Sequence, residues 1–154
     1  MLRNPRVWLY AAGGWLILTG LTHTAAHVWT FVLENGIVGV REFAMNAMKQ
    51  AQSTDPLSPS LWRLMRTFSL SFSLLLFFVG SANILLAWTR APARTLSAFS
   101  LFCTVFWTIA FVPFAFIDPV IQPIIVSVVA VPLHALAYLT ASQEAAETVD
   151  SSVH

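Results

Sequence analysis

The chain has 154 residues, of which 57% are hydrophobic and only 10% charged; soluble domains carry about 25% charged residues, so this composition belongs to a membrane protein. Eight basic and seven acidic residues leave a net charge of +1, which excludes the strong basic field through which proteins bind nucleic acid. A single cysteine, Cys103, excludes an internal disulfide and reads as a small buried hydrophobe.

Four largely apolar stretches follow one another, at about 7–33, 68–88, 96–117 and 119–140. As helices, all four are long enough to cross a hydrocarbon core of about 30 Å. Little chain is left over, so residues 1–154 are expected to form a single transmembrane domain with no separate soluble part. Arg3 and Arg6 precede the first stretch as they would a secretory signal. A signal's apolar region is only about 7–15 residues long, however, and this one runs on through two histidines, so it is expected to be retained as a span. Trp8 and Trp29 bracket the first span and Trp62 and Trp88 the second, in keeping with the preference of indole rings for membrane interfaces. Trp15 and Trp107 fall within spans and read as packing residues.

Between the first two spans lies a segment of about 37–52 in which Ile37, Val40, Phe43, Ala44, Ala47, Met48 and Ala51 recur at helical spacing. Glu42, Asn46 and Lys49 lie opposite them, and Met45 is the one apolar residue on the polar side. This is the pattern of an amphipathic helix lying at the membrane surface. It either covers the end of the bundle or meets lipid or a partner. Turn-forming residues follow at 53–59, with Ser60 placed to cap the second span. Pro92 and two arginines break the chain between spans two and three, and Asp118-Pro119 reads as an N-cap with proline in the first helical position of span four. These connections are short, so successive spans are antiparallel and the expected fold is an all-α, up-down-up-down four-helix bundle. Basic residues divide equally between the two sides, but Arg90 and Arg94 sit in a short connection, which favours both termini inside.

No water in a bilayer core satisfies polar side chains, so their angular position reports which face of a helix is interior. On span one, Ala12, Thr19, His23, Ala26, His27, Thr30 and Glu34 share a stripe at about 100° per residue. Span four repeats this with Pro123, Ser127, His134 and Tyr138. Arg66, Ser69, Ser73, Gly80 and Asn83 lie near one face of span two, as do Ser100, Thr104 and Thr108 on span three. Gly13-Gly14 and Gly80 would let helices approach closely. The polar faces are expected to meet in the interior or at an interface.

His23, His27 and His134 are the candidate ligands, since neutral imidazole binds transition metals or haem iron, and His23 and His27 stand one turn apart. The spacing lacks the glutamate of zinc proteases and there is no Cys-x-x-Cys-His haem attachment. A cross-helix hydrogen-bonding role for each histidine is the competing explanation. Arg63 and Arg66 can reach phosphate headgroups or pair with Glu34. No Ser-His-Asp grouping, carboxylate pair or phosphate loop is present in the sequence, which points away from an enzyme.

Thr19-Gly20-Leu21-Thr22-His23 in the second half of span one, followed by an amphipathic segment and three closely connected helices, resembles the small bacterial DoxX-like and related four-helix membrane proteins. The likeness covers the whole chain in layout but only this segment in residues. It implies the bacterial inner membrane, and for some members a place as a small subunit in quinone-linked sulfur oxidation. The chain lacks a second cysteine for thiol chemistry. Two functional expectations result. One is a non-catalytic accessory or structural subunit, embedded in lipid and joined to a homo-oligomer or a larger membrane complex. The other is a redox protein holding haem, a metal or a quinone at His23, His27 and His134.

Overall fold

A computed structural model describes residues 4–33, 38–51, 60–117 and 120–151. The described residues are helical with no strand: α1 (Pro5–His27) runs directly into a π-helical turn (Val28–Val32), followed by α2 (Val40–Gln50), α3 (Leu61–Trp88), α4 (Ala93–Phe116) and α5 (Ile121–Ser151). The elements match the expected order, with α3 beginning earlier and α5 ending later than the apolar stretches alone indicate. Glu34, Ile37, residues 53–59 and Asp118-Pro119 lie outside the described residues.

α3, α4 and α5 are each long and apolar enough to cross a membrane, and three such helices mark a multi-pass membrane protein. Large apolar side chains point outward from them, including Phe78 (74% exposed), Phe102 (67%) and Ile109 (66%). In water that would be a liability; against acyl chains it costs nothing. α1 has the length of a span, but its three glycines, three threonines and two histidines after residue 12 dilute its hydropathy, and it does not join this set.

Local signals account for the helix ends. Ser60 caps α3: its Oγ accepts from the Arg63 N–H (3.3 Å), as an N-cap serine does three residues into a helix. At the other end of α3, Arg90 adopts φ 53°, Ala91 N–H donates to the Leu86 carbonyl (3.2 Å) and Arg90 N–H to that of Ala87 (3.4 Å). This is a Schellman stop with arginine where glycine is usual. Pro92 then precedes the first turn of α4.

The helices divide into two compact units, residues 1–18 with 78–154 and residues 19–77. In the first, the chain reverses between α4 and α5, and the start of α4 meets the far part of α5: Leu96 packs with Ala137 and Ala141, and the Ser97 and Ser142 hydroxyls bond at 2.8 Å. Leu9 and Ala87 join that cluster. Its three alanines let helix axes draw together where no hydrophobic force operates between helices in lipid. α1 also crosses α3 at Gly13 and Gly80, where a Cβ on Gly13 would stand 2.7 Å from the Gly80 carbonyl oxygen. The close approach expected of these glycines is present. Trp15 Nε1–H donates to the Val126 carbonyl (3.4 Å), Trp107 is buried, and Arg6 pairs with Glu144 at 3.6 Å.

In the second unit, the later turns of α1 run against the early turns of α3, with Gly20 seated on Leu76 and Phe77. α2 docks by an unexpected edge. Met45, the apolar residue on its polar side, is the buried one, and Lys49 Nζ lies 5.5 Å above the ring of Trp62. Val40 (85% exposed) and Phe43 (77%) face away from the unit. Periodicity identifies the apolar stripe correctly, but the contact with protein is made beside it.

Candidate functional site

The polar stripe on α1 becomes a site through a residue on α3. His27 Nδ1 lies 2.9 Å from Ser69 Oγ, and the same oxygen lies 3.2 Å from His23 Nε2. One hydroxyl therefore bridges two imidazoles that stand a helical turn apart, as the i, i+4 spacing requires. Aromatic rings hold the imidazoles. Phe72 meets His23 edge-on (centroids 5.1 Å apart, planes at 81°), and Phe31 lies against His27 at 5.1 Å. The π-helical turn that follows His27 closes with Leu33 N–H donating to the Val28 carbonyl (2.9 Å). Phe31, within this turn, also meets Trp62 at 4.9 Å. Such turns are rare and recur at functional sites. His27 is buried and His23 half-buried. Arg66, exposed and one turn before Ser69 on α3, acts electrostatically on His27.

The sequence singled out His23, His27 and Arg66 but placed Ser69 only among residues near one face of its helix. What marks Ser69 is its partner across the α1–α3 contact, which periodicity on one helix does not contain. Of the other residues in the α1 stripe, Ala12 is buried, Thr19 and Thr30 are half-buried, and Ala26 is exposed.

His134 forms a second polar centre, in the unit built from α4, α5 and parts of α1 and α3. It is fully buried, with Nδ1–H donating to the Ala130 carbonyl (2.7 Å) and Nε2 lying 3.1 Å from the Asn83 amide oxygen. Asn83, also fully buried, donates through Nδ2 to the Val79 carbonyl at 2.8 Å. Both imidazole nitrogens thus lie within hydrogen-bonding distance of a protein oxygen. Ser127 is buried in the same unit, and its hydroxyl, with those of Ser100 and the Trp107 indole N–H, is unpartnered among the described residues. Tyr138 is half-buried.

Threonines behave differently from these residues. Thr24, Thr67, Thr104, Thr108 and Thr140 each donate to the carbonyl four residues earlier at 2.7 to 3.0 Å. A hydroxyl satisfied by its own helix can face lipid, and Thr108 is indeed exposed.

Chemically, the Ser69 centre offers two titratable rings and a hydroxyl, but not a metal cage. Among the described residues no group of three His, Cys, Asp or Glu side chains converges to hold a metal ion. Comparisons with protein-family models, with curated proteins and with solved structures found no match to this chain.

Proposed function

We propose that the chain is a non-catalytic accessory subunit of a membrane assembly, either a homo-oligomer or a larger complex, in a bacterial inner membrane. On this reading α1 crosses the bilayer as a fourth span, the spans form an up-down-up-down bundle, and α2 lies in the interface with Val40 and Phe43 in the acyl boundary. The observation that carries the reading is how the interior polar groups are used. His134, Asn83, Ser97 and Ser142 are spent on bonds within and between helices, while the outer faces present apolar side chains suited to lipid or neighbouring helices. The likeness to DoxX-like small subunits agrees with it. Affinity purification from native membranes at natural expression tests the proposal. Recovery of a stoichiometric membrane partner or of a homo-oligomer is expected, and a solitary monomer refutes it.

One observation favours a second reading, in which His23 and His27 contact a small ligand. The ring nitrogens that face away from Ser69 are bonded to none of the described residues. Haem, a metal or a quinone are the classes with affinity for imidazole. A quinone requires only hydrogen-bond donors and acceptors, which suits a pair of rings better than a metal cage does. Purified protein is then expected to carry an absorption band, bound metal or extractable quinone that His27→Ala abolishes; protein with none of these ends the reading.

A further inference from the structure

We infer that His23, Ser69 and His27 form a proton relay in which the two imidazoles change tautomer together through the serine hydroxyl. The inference stands on hydrogen-bond accounting and does not depend on either functional reading above.

A serine hydroxyl has one proton to donate, while its oxygen can accept from another group. Ser69 Oγ lies within bonding distance of two ring nitrogens, at 2.9 Å from His27 Nδ1 and 3.2 Å from His23 Nε2. Both contacts are satisfied only if the hydroxyl donates to one ring and accepts from the other. In the first arrangement His23 Nε2–H donates to Ser69, Ser69 donates to a bare His27 Nδ1, and a neutral His27 carries its proton on Nε2. Both rings are then protonated at Nε2. In the second arrangement every bond is reversed, and both neutral rings are protonated at Nδ1. A mixed pair leaves the hydroxyl facing two bare nitrogens or two N–H groups, so one contact is lost. The geometry therefore couples the tautomers of two residues that share no direct bond.

The outward nitrogens follow from this coupling. In each arrangement one of His23 Nδ1 and His27 Nε2 presents an N–H and the other a lone pair. A proton arriving at a bare His23 Nδ1 releases the Nε2 proton to Ser69 Oγ. The hydroxyl proton passes to His27 Nδ1, and the Nε2 proton of His27 leaves. One proton enters, one departs, and the pair ends in the second arrangement, from which the reverse transfer restores the first. The charged groups of this unit's described residues are Arg41, Glu42, Lys49, Arg63 and Arg66. Arg66 stands one turn before Ser69 on α3, and both resting arrangements are neutral, a charged ring forming only in transit. Phe72 and Phe31 restrict ring reorientation, so the tautomers exchange by transfer along the bonds rather than by ring flips.

Nitrogen-15 NMR of histidine-labelled protein in phosphatidylcholine bilayers at about pH 8, where an ordinary imidazole is neutral, tests the relay. Protonated and bare ring nitrogens resonate far apart, and His23→Gln and His27→Gln assign the signals. The expected result is that His23 and His27 show the same tautomer, that Ser69→Thr preserves the match, and that Ser69→Ala abolishes it. The His134 signals serve as an internal control for folding; if they show that Ser69→Ala is misfolded, the native and Ser69→Thr spectra decide. Opposite tautomers in the native protein, or a matched pair that survives in folded Ser69→Ala, would overturn the inference.

Discussion

Gly13 and Gly14 are adjacent in sequence, yet alanine should act in opposite directions at the two positions. At Gly14 an added Cβ meets nothing within 4 Å, so Gly14→Ala gains only helix propensity and is expected to stabilise by up to about 1 kcal/mol. At Gly13 the same methyl would stand 2.7 Å from the Gly80 carbonyl oxygen and 2.7 Å from Ile84 Cγ1. Both are well inside van der Waals contact, and one of the two obstacles is backbone, so α1 and α3 must separate locally. Overpacking of this kind costs about 1–3 kcal/mol. Offset by the propensity gain, Gly13→Ala should be destabilising by up to about 2 kcal/mol, leaving the two neighbours about 1–3 kcal/mol apart. Gly80 sits across the same contact, where a Cβ would lie 2.9 Å from Ile17 Cγ1 and 3.0 Å from the Gly13 oxygen. Once either substitution has opened the crossing the other is cheaper, so the double variant should cost less than the sum of the single ones. Equilibrium unfolding in mixed micelles of increasing SDS content measures all four. If Gly13→Ala proves as stabilising as Gly14→Ala, the two backbones do not touch at this crossing and the packing argument fails.

Three other substitutions probe separate features. Asn83→Ala removes the partner of the fully buried His134 and should destabilise by about 1–3 kcal/mol in the same assay; a neutral result would show that the pair is not buried in the folded protein. Arg90→Gly relieves a positive φ at the end of α3 and should raise stability by roughly 0.5–1 kcal/mol, whereas a loss would place Arg90 in another conformation. Phe43→Cys in a Cys103→Ala background, labelled with an environment-sensitive dye in bilayers, should report an apolar surrounding if α2 lies in the interface. A water-like emission would remove α2 from the membrane.

Much of the architecture was legible because membrane burial leaves coarse traces. Apolar runs located α3, α4 and α5, and the cap at Ser60 and the break at Pro92 marked where helices begin. The histidine spacing of α1 foretold two rings on one side. Other inferences failed for local reasons. Threonine is a poor sign of an interior face, because its hydroxyl can bond its own helix four residues back, so Thr108 faces outward at no cost. Serine, asparagine and histidine were better guides, as Ser100, Asn83 and His134 show by their burial. Met45 lies on the polar side of α2 by periodicity and is nonetheless its buried anchor, because a helix docked at one edge need not bury its most apolar stripe.

By itself, then, the order of residues determined that the chain is helical, that it belongs in lipid, and which side chains had chemistry to offer. Those properties depend on periodicity and composition, which are local along the chain. Tertiary structure alone decided that Ser69 joins the His23–His27 pair and that Asn83 stands beside His134. Each pairing joins residues more than 40 positions apart, and depends on the depth and rotation at which two helices cross. That crossing is set by where glycine and alanine let backbones meet.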